Sequence, residues 1–482
     1  MIGHAAPLST DPGAFRGRAR AGPQHDAVLM VACAGAFMAF VDTTIVNIAF
    51  PAIRASFPTT PLSTLSWIFN GYNIVFAAFL VPAGRLCDRL GRRRLFEMGL
   101  VGFAAASALC AAAPSAQVLI AGRLVQAAAA ATLVPASLSL SLAATGGRAA
   151  STFGVWASAA AVGAGVGMPL GGLLVRTSGW PLIFLVNLPV AALSLALSRR
   201  MVPESRDEAS TLRPDLAGAA LLSLSLAALA LGIVKASEWG WASLGVAISV
   251  AAAVVLFAAF VRRSGRHPAP VFDRVVLRQP GVIRANLLTA VGATGYFMYL
   301  LGNILFLTNV WQYSALRAGV ATLPSAAIAA IVARPAGRFA DHRGFALPVL
   351  VGGALWASGC LFWSLSVGAH PTYLMEFLPG QLLTGAGVGM AFPVVGTAAV
   401  AGVPAHRLGT SAGVNAAVRQ IGAVLGIALA VSIVGRPESA DPVAVFRRVW
   451  EVAGVLFLAV AALGPILLST GMRRHVPAAL RP

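Results

Sequence analysis

The sequence predicts an all-α integral membrane protein with fourteen transmembrane helices. They form two homologous six-helix bundles with two further helices inserted between them. Three observations carry this prediction. Of the 482 residues, 58% are hydrophobic and 11% charged, where a soluble protein carries about 25% charged residues. A water-soluble fold could not hide that much apolar surface, so lipid must be the solvent. The apolar residues gather into runs long enough to cross a bilayer. A charged loop motif also occurs twice, once in each half of the chain.

In order along the chain, the spans are expected near 28–50, 65–84, 95–113, 116–140, 152–174 and 181–199. Then come 216–234 and 241–261, and after them 281–308, 318–336, 347–366, 372–398, 408–434 and 449–470. Residues 1–27, with Arg16, Arg18 and Arg20, have the look of a signal-peptide n-region. No small-residue cleavage site follows, and the apolar stretch continues through Asp42 to Pro51, so 28–50 is expected as a retained first span. Spans 7 and 8 are Ala, Leu, Ser and Val with no charge in their interiors, and charged, Pro-bearing segments flank them. They are expected as a lipid-facing hairpin. The resulting division is a tail 1–27, a bundle 28–200, a linker with inserted helices 201–280, a bundle 281–470 and a tail 471–482.

The net charge of +19 raises nucleic acid as a partner, but the positive-inside rule accounts for it. With the N-terminus inside, most basic residues fall in cytoplasmic loops, so both termini are expected there and no nucleic-acid partner is. Cys33, Cys87, Cys110 and Cys360 are scattered, with no CxxC or Cys/His cluster, so neither a disulfide nor a metal site is expected.

The repeat that defines the two bundles is G-x-x-x-D-x-x-G. It reads Gly84 to Asp88 to Gly91 between spans 2 and 3, and Gly337 to Asp341 to Gly344 between spans 10 and 11. At nearly the same offset, Gly122-Arg123-Leu124 with Pro135 is echoed by Gly380-Gln381-Leu382 with Pro393. Two ordered matches at one offset indicate parallel duplication.

Of the 16 acidic residues, only Asp42 lies deep inside a long apolar run. A carboxylate at that depth costs about 2.5–3.5 kcal/mol on insertion scales, so it must be paired, protonated or functional. Span 1 runs outward and span 4 inward. Asp42 and Arg123 both fall roughly 10–12 Å below the outer boundary at 1.5 Å per residue, which makes Arg123 the candidate partner. The repeat has Gln381 at the position of Arg123 and no acid in span 9, so the charged pair belongs to the first half alone. It can be a fixed salt bridge, or a carboxylate that takes and releases a proton. Burial and the arginine act on it in opposite directions.

The segment Gly84, Asp88, Arg89, Gly91, Arg92, Arg93 and Arg94 is a charge cluster at the cytoplasmic mouth. It can serve topology alone, or act as a latch in which Asp88 pairs with an arginine and a helix N-terminus across the bundles. Gly84 and Gly91 would allow a tight turn. In span 5, Gly163, Gly167 and Gly171 share one helical face, with Gly165 and Gly172 nearby. That face can be plain packing or the surface that meets the other bundle. Glu97, Glu376 and Glu451 lie near span ends, where snorkelling is cheap.

The two-bundle plan and G-x-x-x-D-R-x-G-R-R resemble the major facilitator superfamily. Phe37 to Pro51, with Asp42-Thr43-Thr44 and Asn47, is similar to the first-span signature of its fourteen-helix drug:proton antiporter branch. Gly179-Trp180, Phe184 to Asn187 and Pro189, and Arg419-Gln420 with Gly422 and Gly426 fit the same branch. The resemblance covers residues 28–470. It implies a latch that favours the outward-facing state, and export rather than uptake through the glycine helix. In the signature glycine and proline adjoin, whereas here Met168 separates Gly167 from Pro169. That places a kink about 100° further round the helix. Arg123 and Gln126 match the branch's second motif, with Ala127 where glycine is expected.

The resemblance implies a proton-driven exporter of small amphipathic or cationic compounds in a bacterial cytoplasmic membrane. It would be monomeric, without cofactor, and would not be an enzyme. Asn47, Gln126, Trp156, Tyr296 and Arg419 are candidates for the substrate cavity. A proton-coupled importer on the same fold is the first alternative, and a lipid flippase or membrane sensor the second. An ATP-driven pump is disfavoured, since the chain has no G-x-x-x-x-G-K-[ST] loop.

Overall fold

The computed structural model of the chain describes residues 23–144, 149–205, 215–268, 270–272, 278–401, 403, 408–435 and 442–469. Most of the expected tails, 1–22 and 470–482, therefore lies outside the described residues. The long helices are α1 (Pro23–Ser56), α2 (Trp67–Leu90), α3 (Arg92–Ala111), α4 (Ala116–Ala144), α5 (Ala149–Ser178), α6 (Asn187–Met201) and α7 (Leu216–Trp239). They continue with α8 (Leu244–Ser264), α9 (Pro280–Asn309), α10 (Ala315–Arg343), α11 (Ala346–Ser366), α12 (Leu378–Val400), α13 (Leu408–Val434) and α14 (Pro442–Ser469). Single turns, Leu62–Leu65 and Leu182–Leu185, lead into α2 and α6. Among the described residues 13 helical segments are long and apolar enough to cross a membrane. The remaining expected span coincides with α5, whose 30 residues reach about 45 Å.

The helices outlast the hydropathy signal at the charged ends. Span 2 was expected to stop at 84, yet α2 continues to Leu90 and stops at Gly91, whose φ is +111°. Hydropathy marks only the part in contact with lipid, whereas backbone hydrogen bonding persists until a residue leaves helical φ/ψ. Gly84 is accordingly inside a helix and makes no turn. A Cβ on it would lie 3.6 Å from Pro135 Cβ, an ordinary van der Waals contact with α4.

The duplication is visible in the packing. Helix α1 packs on α4, α5 and α6, while α9 packs on α12, α13 and α14. In the same way α3 meets α4 and α6, and α11 meets α12 and α14. Two seams join the halves, α2 with α13 and α5 with α10, and the same duplication relates them. Close approach at one end is explicit: Gly172 of α5 lies against Leu316, and Gly319 of α10 against Met168 and Pro169. A continuous apolar core there draws on both halves, including Phe50, Met168, Trp180, Phe306, Trp311 and Ala318. At the opposite end the cores are separate, one around Val28, Phe96 and Leu133 with a contribution from Ala416, the other around Ala285, Ala336 and Val394. The two halves thus share one core at the Trp180 end, and toward the Gly91 end they stay joined through α2 and α13, where Val81 lies against Gly413.

The inserted helices depart from the expected lipid-facing hairpin. Helix α8 does expose Leu244, Ile248, Val254, Val255 and Val261. Helix α7, however, packs on both α2 and α13, with Ala219, Leu222, Leu226 and Ala230 buried against Ile74, Ala78, Val81 and Val424. Among the described residues the insert packs on the α2–α13 seam. Asp215 caps α7 by accepting from Gly218 N at 2.8 Å and pairs with Arg263 of α8 at 2.6 Å, which closes the hairpin at that end. At the other end Ser63 donates to Glu238, which also pairs with Lys235 at 2.6 Å.

Candidate functional site

The first bundle encloses a carboxylate completely. Asp42 is 0% exposed and Arg123 is 2% exposed, and Arg123 Nη1 donates to Asp42 Oδ2 at 2.6 Å. Gln126, one turn along α4, donates through Nε2 to Asp42 Oδ1 at 2.9 Å, and its own Oε1 accepts from Arg123 Nη1 at 2.5 Å. Helix α6 adds Asn187, whose Nδ2 reaches Asp42 Oδ1 at 3.3 Å. Ser107 of α3 receives both amides, at 2.8 Å from Gln126 and 3.3 Å from Asn187. Arg123 also donates to Ile68 O at 3.3 Å and lies 4.1 Å from the ring centroid of Tyr72. Every atom of the charge is thus met inside the bundle, as burial of an ion demands.

This arrangement follows from local structure. Asp42 occupies the face of α1 turned toward α4 and α6, because the adjacent face is taken up by α5. There Gly163 lies against Phe37, Gly167 against Val41 O (2.8 Å to a built Cβ) and Gly171 against Ile45 and Ile48. Backbone meets backbone, and no larger residue would fit. The glycine face therefore meets α1 of its own bundle and not the other bundle, contrary to one of the two readings of the sequence. Only Gly172, with Pro169 beside it, meets α10. The cause is rotational: Gly172 is offset from the Gly163–Gly167–Gly171 stripe by one residue, about 100°.

At the Gly91 end, Glu204 caps α3 by accepting from Arg93 N at 3.1 Å and Arg94 N at 3.0 Å. Its carboxylate lies 2.6 Å from where a Cβ on Gly91 would be. Gly91 is needed both for its positive φ and for this cap. Arg93 bridges to Glu97 at 2.8 Å and donates to Val202 O and Arg199 O. Arg92 is half-buried and Arg89 exposed. The acid at this helix N-terminus is Glu204, which sequence reasoning missed because it lies beyond α6. The side chain of Asp88 lies outside the described residues. Glu97 also accepts from Ser198, Glu376 from Gly368 N and Glu451 from Ser364.

The residues expected around a cavity do not converge. Gln126 belongs to the Asp42 network. Trp156 is buried inside the first bundle, donating to Ser137 Oγ at 2.9 Å and touching Phe40 edge-on. Asn47 is 4% exposed and donates to Thr43 O of its own helix at 3.1 Å. Tyr296 is half-buried within a cluster of Phe297, Tyr299, Trp356 and Phe392. Arg419 is half-buried on α13. No group of His, Cys, Asp and Glu able to hold a metal occurs among the described residues.

Residues 32–427 match the Major Facilitator Superfamily. The chain is 34% identical over 377 residues to the multidrug resistance protein Stp of Mycobacterium tuberculosis, covering 78% of this chain and 69% of that one. It is 30% identical over 389 residues to the tetracenomycin C resistance and export protein of Streptomyces glaucescens, covering 79% and 70%. The fold is similar to that of the human organic anion transporter MFSD10 (TETRAN), with a TM-score of 0.62 and 17% identity over 92% of this chain and 99% of that one. Fourteen long helices, a duplicated bundle and a match over most of the length lead to one conclusion: the chain belongs to the Major Facilitator Superfamily of membrane transporters.

Proposed function

We propose that this protein exports small amphipathic compounds, drugs and antibiotics among them, in exchange for protons by alternating access. The observation that carries the reading is Asp42, a wholly buried carboxylate in one half only, held by a single arginine and two amides. A group so enclosed shifts its charge when its surroundings move, and bundle motion supplies that movement. Protonation releases Arg123 and loosens α4 from α1, while loss of the proton restores the bond.

The relatives named for multidrug resistance and for tetracenomycin C resistance and export support export over uptake. With both termini in the cytoplasm, the Gly91 end faces inward and the Trp180 end, where the halves share one core, is the outer seal. Half-buried Arg419 and the aromatic cluster around Tyr296 in the second half favour compounds carrying an aromatic ring or an acidic group along with apolar bulk. The latch role of the Gly84–Arg93 segment is part of the same proposal, with Glu204 as the acid that anchors α3.

The test is accumulation of a panel of cationic, neutral and anionic amphipathic dyes in cells expressing the protein. Lower internal dye, restored by a protonophore, is the expected result. Asp42→Asn abolishes the difference while the protein remains in the membrane. Gradient-sensitive efflux by that variant would remove Asp42 from the mechanism, and raised internal dye would make the protein an importer.

A further inference from the structure

We infer that Asn187 and Ser107 are positioning residues of the proton site, orienting both amides so that N–H groups and not carbonyls face the Asp42 carboxylate. The inference rests on the proton-site reading above and extends it from the contact made by Asn187 to its orientation, and to a further helix, α3, which that reading does not use.

The hydrogen-bond bookkeeping is closed. Each amide nitrogen carries two protons. For Gln126, Nε2 reaches Asp42 Oδ1 at 2.9 Å and Ser107 Oγ at 2.8 Å. For Asn187, Nδ2 reaches the same two oxygens at 3.3 Å each. Ser107 Oγ therefore accepts twice, which uses both its lone pairs and directs its own proton away from the amide nitrogens. A flipped Gln126 amide would set its carbonyl oxygen against the carboxylate and its nitrogen against Arg123, losing the bonds to both, and a flipped Asn187 would likewise turn its oxygen toward Asp42. Ser107 is 0% exposed and Asn187 2%, so water cannot substitute for either.

Placement of Asn187 is built into the chain. The helical turn Leu182–Leu185 is followed by Val186, and α6 begins at Asn187. The side chain thus projects from the junction between that turn and α6, where Val186 N is bonded to Leu182 O at 3.0 Å. The titratable and charged groups around Asp42 are Tyr72 of α2, Cys110 of α3 and Arg123 of α4. Arg123 supplies charge, and the amides supply direction.

The test needs no transported compound. The protonated Asp42 carboxyl has an infrared C=O stretch, followed against pH in purified protein in nanodiscs and identified by its loss in Asp42→Asn. Asn187→Leu removes one donor to the carboxylate. It is expected to raise proton affinity about tenfold, moving the titration up by about one pH unit. Asn187→Asp sets a second acid beside the first and moves it further up. Ser107→Ala moves it in the same direction by less, and because it only deletes a hydroxyl it is the variant best able to fold. Titration unchanged in Ser107→Ala and in whichever Asn187 variant folds overturns the positioning role. Absence in the wild type of any titrating band that Asp42→Asn removes overturns the proton-site reading instead.

Discussion

In the first bundle α1 meets α5 through Gly163, Gly167 and Gly171, and in the second α9 meets α13 through Gly422 and Gly426, which lie against Ala290, Ala293, Thr294 and Met298. The backbones approach equally closely in both. Beside this shared seam the contents diverge. Where the first half places Arg123 on Asp42, the second has Gln381, and its interior is aromatic. Trp356 stacks on Phe457 at 3.9 Å, Trp363 stacks on Phe377 at 5.2 Å and donates to Phe377 O, and Trp450 donates to Asn303 Oδ1 at 2.8 Å. Aromatic packing fixes one arrangement of helices, whereas a buried ion pair would, on the proton-exchange proposal, have two charge states and two arrangements. On that proposal the duplicated scaffold needs such sensitivity only once, and the second half would be the stiff partner against which the first rocks.

The sharpest way to break this comparison is to give the first half the second half's residue. Arg123→Gln leaves Asp42 buried without its cation, which costs about 3–5 kcal/mol. It should lower the thermal midpoint in detergent and stop gradient-driven efflux. Adding Asp42→Asn should recover much of the stability and none of the transport. If Arg123→Gln alone still exports against a gradient, the charged pair is not what separates the halves.

A smaller effect probes what the halves share. Gly167→Ala drives a methyl toward Val41 O, and Gly426→Ala drives one toward Met298 N and Thr294 O. Overpacking of this kind costs about 1–3 kcal/mol. The two losses, read as unfolding midpoints, should be similar, and a marked inequality would mean that the duplicated seams are not mechanically equivalent.

The smallest concerns the insert. Burial pushes the Glu238 carboxyl up, but hydrogen bonds from Lys235 and Ser63 and the lysine charge outweigh it, so the carboxyl lies below its ordinary value. Its stabilising contribution is therefore present above the ordinary carboxylate range and disappears as pH falls through the lowered value. Because the pair is substantially exposed, Glu238→Gln should cost under about 1 kcal/mol. The difference from wild type should vanish in acid, and a difference that persists there would assign the loss to packing of α7 instead.

Much of this architecture could be read in the residues. The spans, the duplication, and the depth at which Asp42 and Arg123 lie all follow from hydropathy and helical rise, which are properties of one helix at a time. Gln126 stood beside Arg123 in the sequence yet was expected in the cavity, and Trp156 was expected there too, whereas Gln126 bonds to Asp42 and Trp156 to Ser137. Both placements depend on rotation of a helix about its axis. The hydropathic contrast that fixes rotation in a soluble protein is weak when lipid and core are equally apolar. Ser107 carried no signal, one serine in an apolar span being unremarkable. Asn187 was visible only within a motif and without a partner.

By itself the sequence determined that the chain lives in lipid, that it crosses many times, that its halves are duplicates, and that one half carries a charge the other lacks. These depend on composition and on spacing along single helices. Tertiary structure alone decided that the glycine stripe of α5 faces α1, that α7 packs on the α2–α13 seam, and that amides from two helices and a serine from a third enclose Asp42. Each is a choice of neighbour and of rotation, set by how closely backbones can approach and by the need of every buried polar atom for a partner.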